Sequence, residues 1–572
     1  MPLRINTLRT SDGAIVELGT FNVLVGPNNC GKSQTLRDVR DFIITGSREK
    51  LVVTKEIDLQ LPTEVEGMQG LRLLPHPSPG HTRVLGVSSD LKSGHEVTPQ
   101  DGWLKQQFAD RNMAALLQNL GKFWVAHLDA DSRLGLASPT DCYDLRTENP
   151  SNALQAFYAG GATAEEELRK AFKEAFGMDV ALDWAAMKRW YLRVGKSFGN
   201  IPRKVDQLDA LLRNARELSA QGDGYRSFAG VVLAMLTFQN RLLLLDEPDA
   251  FLHPTQARVL GQWLGKRAKT AVTQVILATH NSDFLWGLVS SNPDIRVIRL
   301  NRKGDNTGYH LVPSTTTEEL VKSPLLSSQP VLDSLFQQGV AVCEGDPDRA
   351  VYQTVAHRRL ITQGGEGILF IHANGKDALR TPVKLLRAAG TPVCAVVDFD
   401  IFNSEAILTE LHEALTGSKP EAQLLALRRQ IADLVEKRSE DDLLAAMKAN
   451  VEDWLKNPPE DFRRARKALE NIADKASKWD LAKAKGVDSL IETDRHLAED
   501  LISRCQRIGM FVVPKGELES WMLLGVGKGK EWNRIALEKL HGGDCPFDLE
   551  QFVASIVTHL RPAETAATSI AL

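Results

Sequence analysis

The chain has 572 residues, enough for about three or four domain-sized units. Its 43% apolar and 25% charged composition excludes a disordered, collagenous or coiled-coil protein. Sixty-nine basic residues against 73 acidic ones leave a net charge of −4, so any nucleic-acid contact must rest on local positive charge or on a bound metal. The longest apolar stretch, near Gly230–Phe238, falls well short of the ~20 residues of a membrane span, and no membrane partner is expected. The opening MPLRINTLRT has no apolar core or small-residue cleavage site and does not read as a signal peptide. Cys30, Cys142, Cys343, Cys394, Cys505 and Cys545 include no CxxC pair. They read as buried or incidental thiols of a protein in the reducing cytoplasm, not as a disulfide framework or zinc cluster.

Taken in order, Phe21–Val25 reads as a short buried strand, followed by a Gly/Asn-rich turn and a helix from about Lys32. Residues from about 50 to 135 mix short strand-like runs with turns. From about Ala153 to Leu218 the pattern reads as mostly helical, with Val205, Leu208, Leu211, Leu212, Ala215 and Leu218 on one apolar face. The pure apolar runs Leu242–Leu245 and Val275–Ala278 read as central strands of a sheet covered on both sides. The Ser/Thr/Pro-rich stretch Pro313–Pro330 reads as a linker. The strand pattern then restarts at Val340–Cys343, Ile368–Ile371, Val393–Val397 and Phe511–Val513, which predicts a second parallel α/β sheet. The charged stretch of about 403–507 reads as a helical insertion into it, and the last residues as a frayed tail.

Gly26-Pro-Asn-Asn-Cys-Gly31-Lys32-Ser33 matches G-x-x-x-x-G-K-[ST] between a strand and a helix. Glycines let backbone N–H groups curl around phosphate, and the helix N-terminus adds positive potential. Lys32 would reach the β- and γ-phosphates of ATP and Ser33 would ligate Mg²⁺. Asn29 and Gln34 complete the expected nucleotide-contacting set. Asp246, at the end of Leu242–Leu245, would hold the metal through water. Glu247 would orient and deprotonate the attacking water, and His280, at the end of Val275–Ala278, would contact the γ-phosphate.

A second cluster sits on the later strands. Glu344 ends Val340–Cys343, and Asp398-Phe-Asp400 ends Val393–Val397. Read as extended chain, Asp398 and Asp400 point to one side, and such crowded carboxylates call for a hard cation, Mg²⁺ or Mn²⁺. Pro347 suits a first helical turn and Asp346 its N-cap.

The motifs around Asp246-Glu247-Pro248, Phe251–Pro254 and Ala278–Asn281 resemble the Walker B, D-loop and H-switch regions of ABC-type ATPases of the chromosome-maintenance branch. By that resemblance Ser227 stands just before a helix as the signature serine, contacting ATP held by a second subunit, and dimerisation follows. No glutamine stands out as a Q-loop residue. Glu344-Gly345 with Asp398-x-Asp400 resembles the TOPRIM domain, and Glu344-x-x-x-Asp348 with Glu519 resembles its OLD-family version. The resemblance implies metal ligands Glu344, Asp348, Asp398, Asp400 and Glu519, and a lysine that stabilises the transition state, with Lys528 or Lys530 as candidates.

The fold expected is therefore α/β: an ABC-type ATPase domain over 1–320 with a helical insertion at about 140–220 available for dimerisation, a linker at 321–337, a Rossmann-like TOPRIM nuclease domain over 338–560 with its insertion at about 403–507, and a tail at 561–572. The activity expected is that of an ATP-regulated, metal-dependent DNA endonuclease resembling OLD and Gabija nucleases. The resemblance implies antiphage defence, a homodimer or higher oligomer, and a partner such as a helicase or a retron ribonucleoprotein. Two alternatives stay open, a non-cutting nucleic-acid clamp or sensor and a ribonuclease acting on tRNA. Between Arg463 and Lys485, eight basic and three acidic residues give a local +5 that could contact a nucleic-acid backbone.

Overall fold

The structure, a computed structural model, describes residues 3–322, 331–362, 367–437 and 478–561 and scattered positions between 444 and 469. It divides into two units, Met1–Ser327 and Ser328–Leu572. Among the described residues no helix is long and apolar enough to cross a membrane.

The first unit is built on a six-stranded sheet in the order Asn306–Val312, Arg296–Lys303, Phe21–Val25, Val275–Ala278, Leu242–Asp246, Val125–Leu128. All pairings are parallel except that of Asn306–Val312 with Arg296–Lys303. The central strands are unbroken apolar runs because both faces are covered. Leu24, Leu244, Ile276 and Ile298 share one face with the helix Lys32–Thr45, which contributes Leu36, Val39, Phe42 and Ile43 at helical spacing. Val23, Leu243, Leu245 and Leu277 on the other face are equally buried. The helix stops at Gly46, whose φ of 68° lets its N–H donate to the Phe42 carbonyl. Two smaller antiparallel sheets flank this core, Ile15–Glu17 with Arg4–Thr10 and Thr54–Gln60, and Arg72–Pro75 with Thr82–Val87 and Gly94–Val97.

The region expected to be helical between about 140 and 220 is mixed. Helices Ala153–Ala159, Gly161–Phe176 and Val205–Leu212 are present, but Asp179–Asp183 and Arg189–Gly195 form an antiparallel pair between them. Trp190, Leu192 and Val194 are buried at every second position, the period of a half-buried strand, while the helices on either side dominate the pattern over a longer window. The expected linker is also partly structured, since Ser314–Lys322 is helical. Residues 323–330 and 562–572, including nearly all of the expected tail, lie outside the described residues.

The second unit carries a four-stranded parallel sheet in the order Ile368–His372, Gly339–Cys343, Val393–Val397, Met510–Val512. The chain runs outward from Gly339–Cys343 to one neighbour, then crosses back to Val393–Val397 on the other side. The strand order therefore reverses between Gly339–Cys343 and Val393–Val397, and the crevice beyond their C-terminal ends is the usual binding position in such sheets. Helices Asp346–Thr362, Lys530–Gly542 and Phe547–Leu560 pack a core on this sheet through Val351, Tyr352, Trp532, Val553 and Ile556. The insertion includes helices Glu405–Thr416, Ala422–Glu436, Lys478–Lys485 and Arg495–Arg507. All six cysteines are free thiols, four of them buried.

Candidate active sites

The phosphate-binding loop joins Phe21–Val25 to the helix at Lys32. Gly26 (φ 142°) is obligatory, because a Cβ there would lie 2.5 Å from the Leu300 carbonyl oxygen. Gly31 (φ 101°) abuts Val53 in the same way, and Asn29 takes φ 60° to complete the curl. Lys32 is buried and folded back, its Nζ donating to the carbonyls of Gly26 (2.8 Å) and Pro27 (2.9 Å). Ser33 Oγ donates to Asp246 Oδ1 at 2.9 Å, so the two expected metal-side groups meet across 213 residues of sequence. Gln34 Nε2 donates to Asp38 Oδ1 at 2.9 Å. Burial, only partly offset by Ser33, holds the Asp246 carboxyl above the usual carboxylate range.

Glu247 and His280 stand side by side at the ends of adjacent strands, with His280 Nδ1 2.9 Å from Glu247 Oε1. That hydrogen bond draws the Glu247 carboxyl below its ordinary range and pushes the His280 imidazole above its own. Glu247 has φ 48°, an unusual conformation for a non-glycine residue. Arg133 braces it. Fully buried in the helix after Val125–Leu128, Arg133 donates to the Glu247 carbonyl at 2.7 Å and also to the Asp246 carbonyl and Ser227 Oγ. Nothing in the sequence distinguishes this arginine from a surface one. Ser227 departs from expectation. The helix begins at Asp223, so Ser227 lies inside it, wholly buried against Arg133 and not at its mouth.

The carboxylate centre occupies the crevice of the second sheet. Oxygens of Glu344, Asp398 and Asp400 lie within 4.8 Å of one another. Asp398 is on extended chain as expected (φ −70°, ψ 162°), but Asp400 is not. A 3₁₀ turn, Phe399–Asn403, starts right after Asp398 and carries Asp400, and the turn brings the pair together. Glu344 Oε1 accepts the Asp398 N–H at 3.0 Å, tying the two strand ends. The local bond expected of Asp346 belongs to Asp348, whose Oδ2 accepts the Gly345 N–H at 3.0 Å, while Asp346 pairs with Arg349. Burial first, then the charge of Asp398, pushes Glu344 well above the carboxylate range, and the same causes push Asp348 up to about 7. The negative charge of Glu519 raises Asp348 further, and burial pushes Glu517 up as well.

Two lysines face these acids. Lys376 Nζ lies 2.6 Å from Asp400 Oδ2, and Lys483 Nζ lies 2.8 Å from Asp398 Oδ2. Burial raises Asp398 although Lys483 opposes it, and the charges of Asp400 and Glu517 add to the rise. Hard oxygen donors in excess of their counter-charges fit a divalent cation of the Mg²⁺ or Mn²⁺ type. Lys528 instead pairs with Glu517, on an exposed loop before Lys530–Gly542. Lys530 begins that helix. Of the basic segment, Arg464, Lys467 and Lys475 lie outside the described residues.

A strand–P-loop–helix with a distant acidic strand end, and a crevice of converging carboxylates on a second parallel sheet, define an ATPase joined to a TOPRIM domain. Residues 127–285 match the family described as "AAA domain, putative AbiEii toxin, Type IV TA system", and residues 335–400 match "Overcoming lysogenization defect protein-like, TOPRIM domain". The chain thus carries an AAA-type ATPase domain and a TOPRIM domain that matches the OLD-like type. It is 27% identical over 202 residues to the Old nuclease of Escherichia phage P2, covering 34% of this chain and 33% of that protein. The match thus spans about a third of that relative. A 91-residue stretch is 34% identical to an uncharacterized protein of Methanocaldococcus jannaschii, covering 15% of this chain and 78% of that one. Among solved structures, the SMC head domain from Thermotoga maritima overlaps 55% of this chain and 100% of its own at TM-score 0.28 and 14% identity. The C-terminal region of the Xanthomonas campestris pv. campestris OLD protein overlaps 40% of this chain and 95% of its own at TM-score 0.19 and 19% identity. Overlaps of that size carry no weight beside the sequence matches.

Proposed function

We propose that this chain is an ATP-regulated, divalent-metal-dependent nuclease that cleaves DNA, acting as a homodimer in antiphage defence. The observation that carries the reading is the convergence of Glu344, Asp398 and Asp400 at the strand-order reversal of the second sheet. Glu344, Asp348, Asp398, Asp400 and Glu519 would hold the cation, whose chemistry is to activate a water and to stabilise the leaving 3′ oxygen. The chain's own part is orientation. The Asp398 N–H fixes Glu344, the 3₁₀ turn fixes Asp400, and the lysines hold the paired aspartates in place until a divalent cation replaces them.

In the first unit, Lys32 would exchange the Gly26 and Pro27 carbonyls for the β- and γ-phosphates, and Ser33 and Asp246 are already aligned toward one metal position. Glu247 would take the proton of the attacking water once His280 turns from it to the γ-phosphate. Nucleotide occupancy would set the dimer and thereby gate cutting. Lys32→Ala is expected to abolish ATP hydrolysis, and Asp398→Ala to abolish cleavage with ATP hydrolysis largely retained. Purified chain incubated with Mg²⁺ or Mn²⁺ and plasmid, single-stranded DNA or tRNA tests the substrate. Cutting of tRNA alone would redirect the reading to a ribonuclease, and cutting of none would favour a clamp or sensor. Nicking by Asp398→Ala at the wild-type rate would reject the site.

A further inference from the structure

Lys483 lies in the insertion, 83 residues after Asp400 in the chain. Its Nζ nevertheless sits 2.8 Å from Asp398 Oδ2 and 3.5 Å from Asp400 Oδ1. Lys376 takes the remaining oxygen of Asp400. The Asp398 and Asp400 side chains are only 13% and 14% exposed, so solvent does little of the neutralising.

This is no surface lysine leaning into a cleft, because the backbone beneath it is locked. Gly516 has φ 107°, and a Cβ on it would lie 2.1 Å from the Lys483 carbonyl oxygen. A Cβ on Gly486 would lie 2.0 Å from the Pro514 carbonyl oxygen. At this glycine-to-glycine contact the Val487 N–H donates to Pro514 O at 2.9 Å. The Phe399 N–H, between the two aspartates, donates to Gly516 O at 2.8 Å. One backbone junction therefore sets the end of the Lys483 helix, the approach to Glu517 and Glu519, and the turn bearing Asp398 and Asp400. An ammonium is a compact point charge that fits between two carboxylates as a small cation does.

Building on the metal-site reading above, we infer that Lys483 is the resident counter-cation of the carboxylate centre. It holds Asp398 and Asp400 in the metal-free protein and yields them to a divalent cation. Its released ammonium then faces the phosphodiester that the cation draws in. Loading the site thus moves a charge carried by the insertion, which gives that segment a direct link to the chemistry.

The role has a signature that ordinary structural damage does not produce: metal affinity and cleavage should move in opposite directions. Titration calorimetry of the full chain with MnCl₂ should show Lys483→Met binding at least about tenfold more tightly than wild type, because the competing charge is gone. Its metal-free thermal midpoint should fall by several degrees, and Lys483→Arg should restore that midpoint. DNA cleavage by Lys483→Met should drop about tenfold or more, while Lys539→Met, on the helix Lys530–Gly542 where the lysine pairs with Asp544, should match wild type in all three measurements. Equal or weaker Mn²⁺ binding by Lys483→Met, or cleavage at the wild-type rate, overturns the inference. If wild type binds no Mn²⁺, or Asp398→Asn binds it as well as wild type does, the metal-site reading falls and takes the inference with it. If wild type binds, Asp398→Asn does not, and Lys483→Met is unchanged, the inference falls alone.

Discussion

Arg133 shows how much one side chain can hold. Its guanidinium is wholly buried, and its partners include the carbonyls of the consecutive residues Asp246 and Glu247. A fork of fixed donors suits two adjacent carbonyls as no other side chain does. Removing it would strand those buried acceptors, at about 1–3 kcal/mol for each one left unsatisfied. Arg133→Met should therefore lower the thermal midpoint and reduce ATP hydrolysis more than it weakens nucleotide binding. Comparing KM with kcat checks this, since an arginine with a packing role alone would leave that ratio unmoved. The carboxylate centre permits a second prediction at this scale. The folded-state pKa of Asp348 is raised to about 7, so the stability this group contributes is intact below its unfolded value and is lost as pH rises through about 7. Melting in EDTA should show a midpoint that falls between pH 6 and pH 8, and saturating Mn²⁺ should reverse the trend, because ligation replaces the proton. A midpoint that rises with pH in EDTA would contradict the crowding of these acids.

Among the elements, the glycine junction beneath Lys483 is the most sensitive. Gly516→Ala would force a Cβ into the Lys483 carbonyl at a positive φ. Overpacking of this kind destabilises by about 1–3 kcal/mol. Cleavage should be lost while ATP hydrolysis, which depends on the other unit, persists. The elements differ in how openly the sequence displays them. Phe21–Val25, Leu242–Asp246, Val275–Ala278 and Gly339–Cys343 are nearly all buried on both faces, so they appear as uninterrupted apolar runs, and the polar residues at their C-terminal ends mark the sites. Asp179–Asp183 and Arg189–Gly195 were hidden by the helices around them. Glu344, Asp398, Asp400 and the P-loop were legible because each ends or follows such a run. Lys483 and Arg133 were not, since their partners lie 83 and 113 residues away in sequence and no local pattern encodes a contact of that range. The turn at Phe399–Asn403 was missed for a related reason. Period-two reasoning describes strands, and it stops applying at the residue where the strand ends.

At the scale of the whole molecule, two separate sheets carry two separate candidate sites, and each should answer to its own ligand. ATP with Mg²⁺ should raise the unfolding midpoint of the first unit, and Mn²⁺ without nucleotide that of the second, each by an amount set by concentration relative to its dissociation constant. Calorimetry of wild type should resolve both shifts, with Lys32→Ala losing the first and Asp398→Asn the second. A single transition moved equally by either ligand would mean that the units unfold as one. The folded-back Lys32 has a further consequence for the nucleotide cycle. On the proposed reading, the carbonyls of Gly26 and Pro27 would take back the Lys32 ammonium each time phosphate left, so the loop would keep its shape and successive turnovers would start from the same geometry.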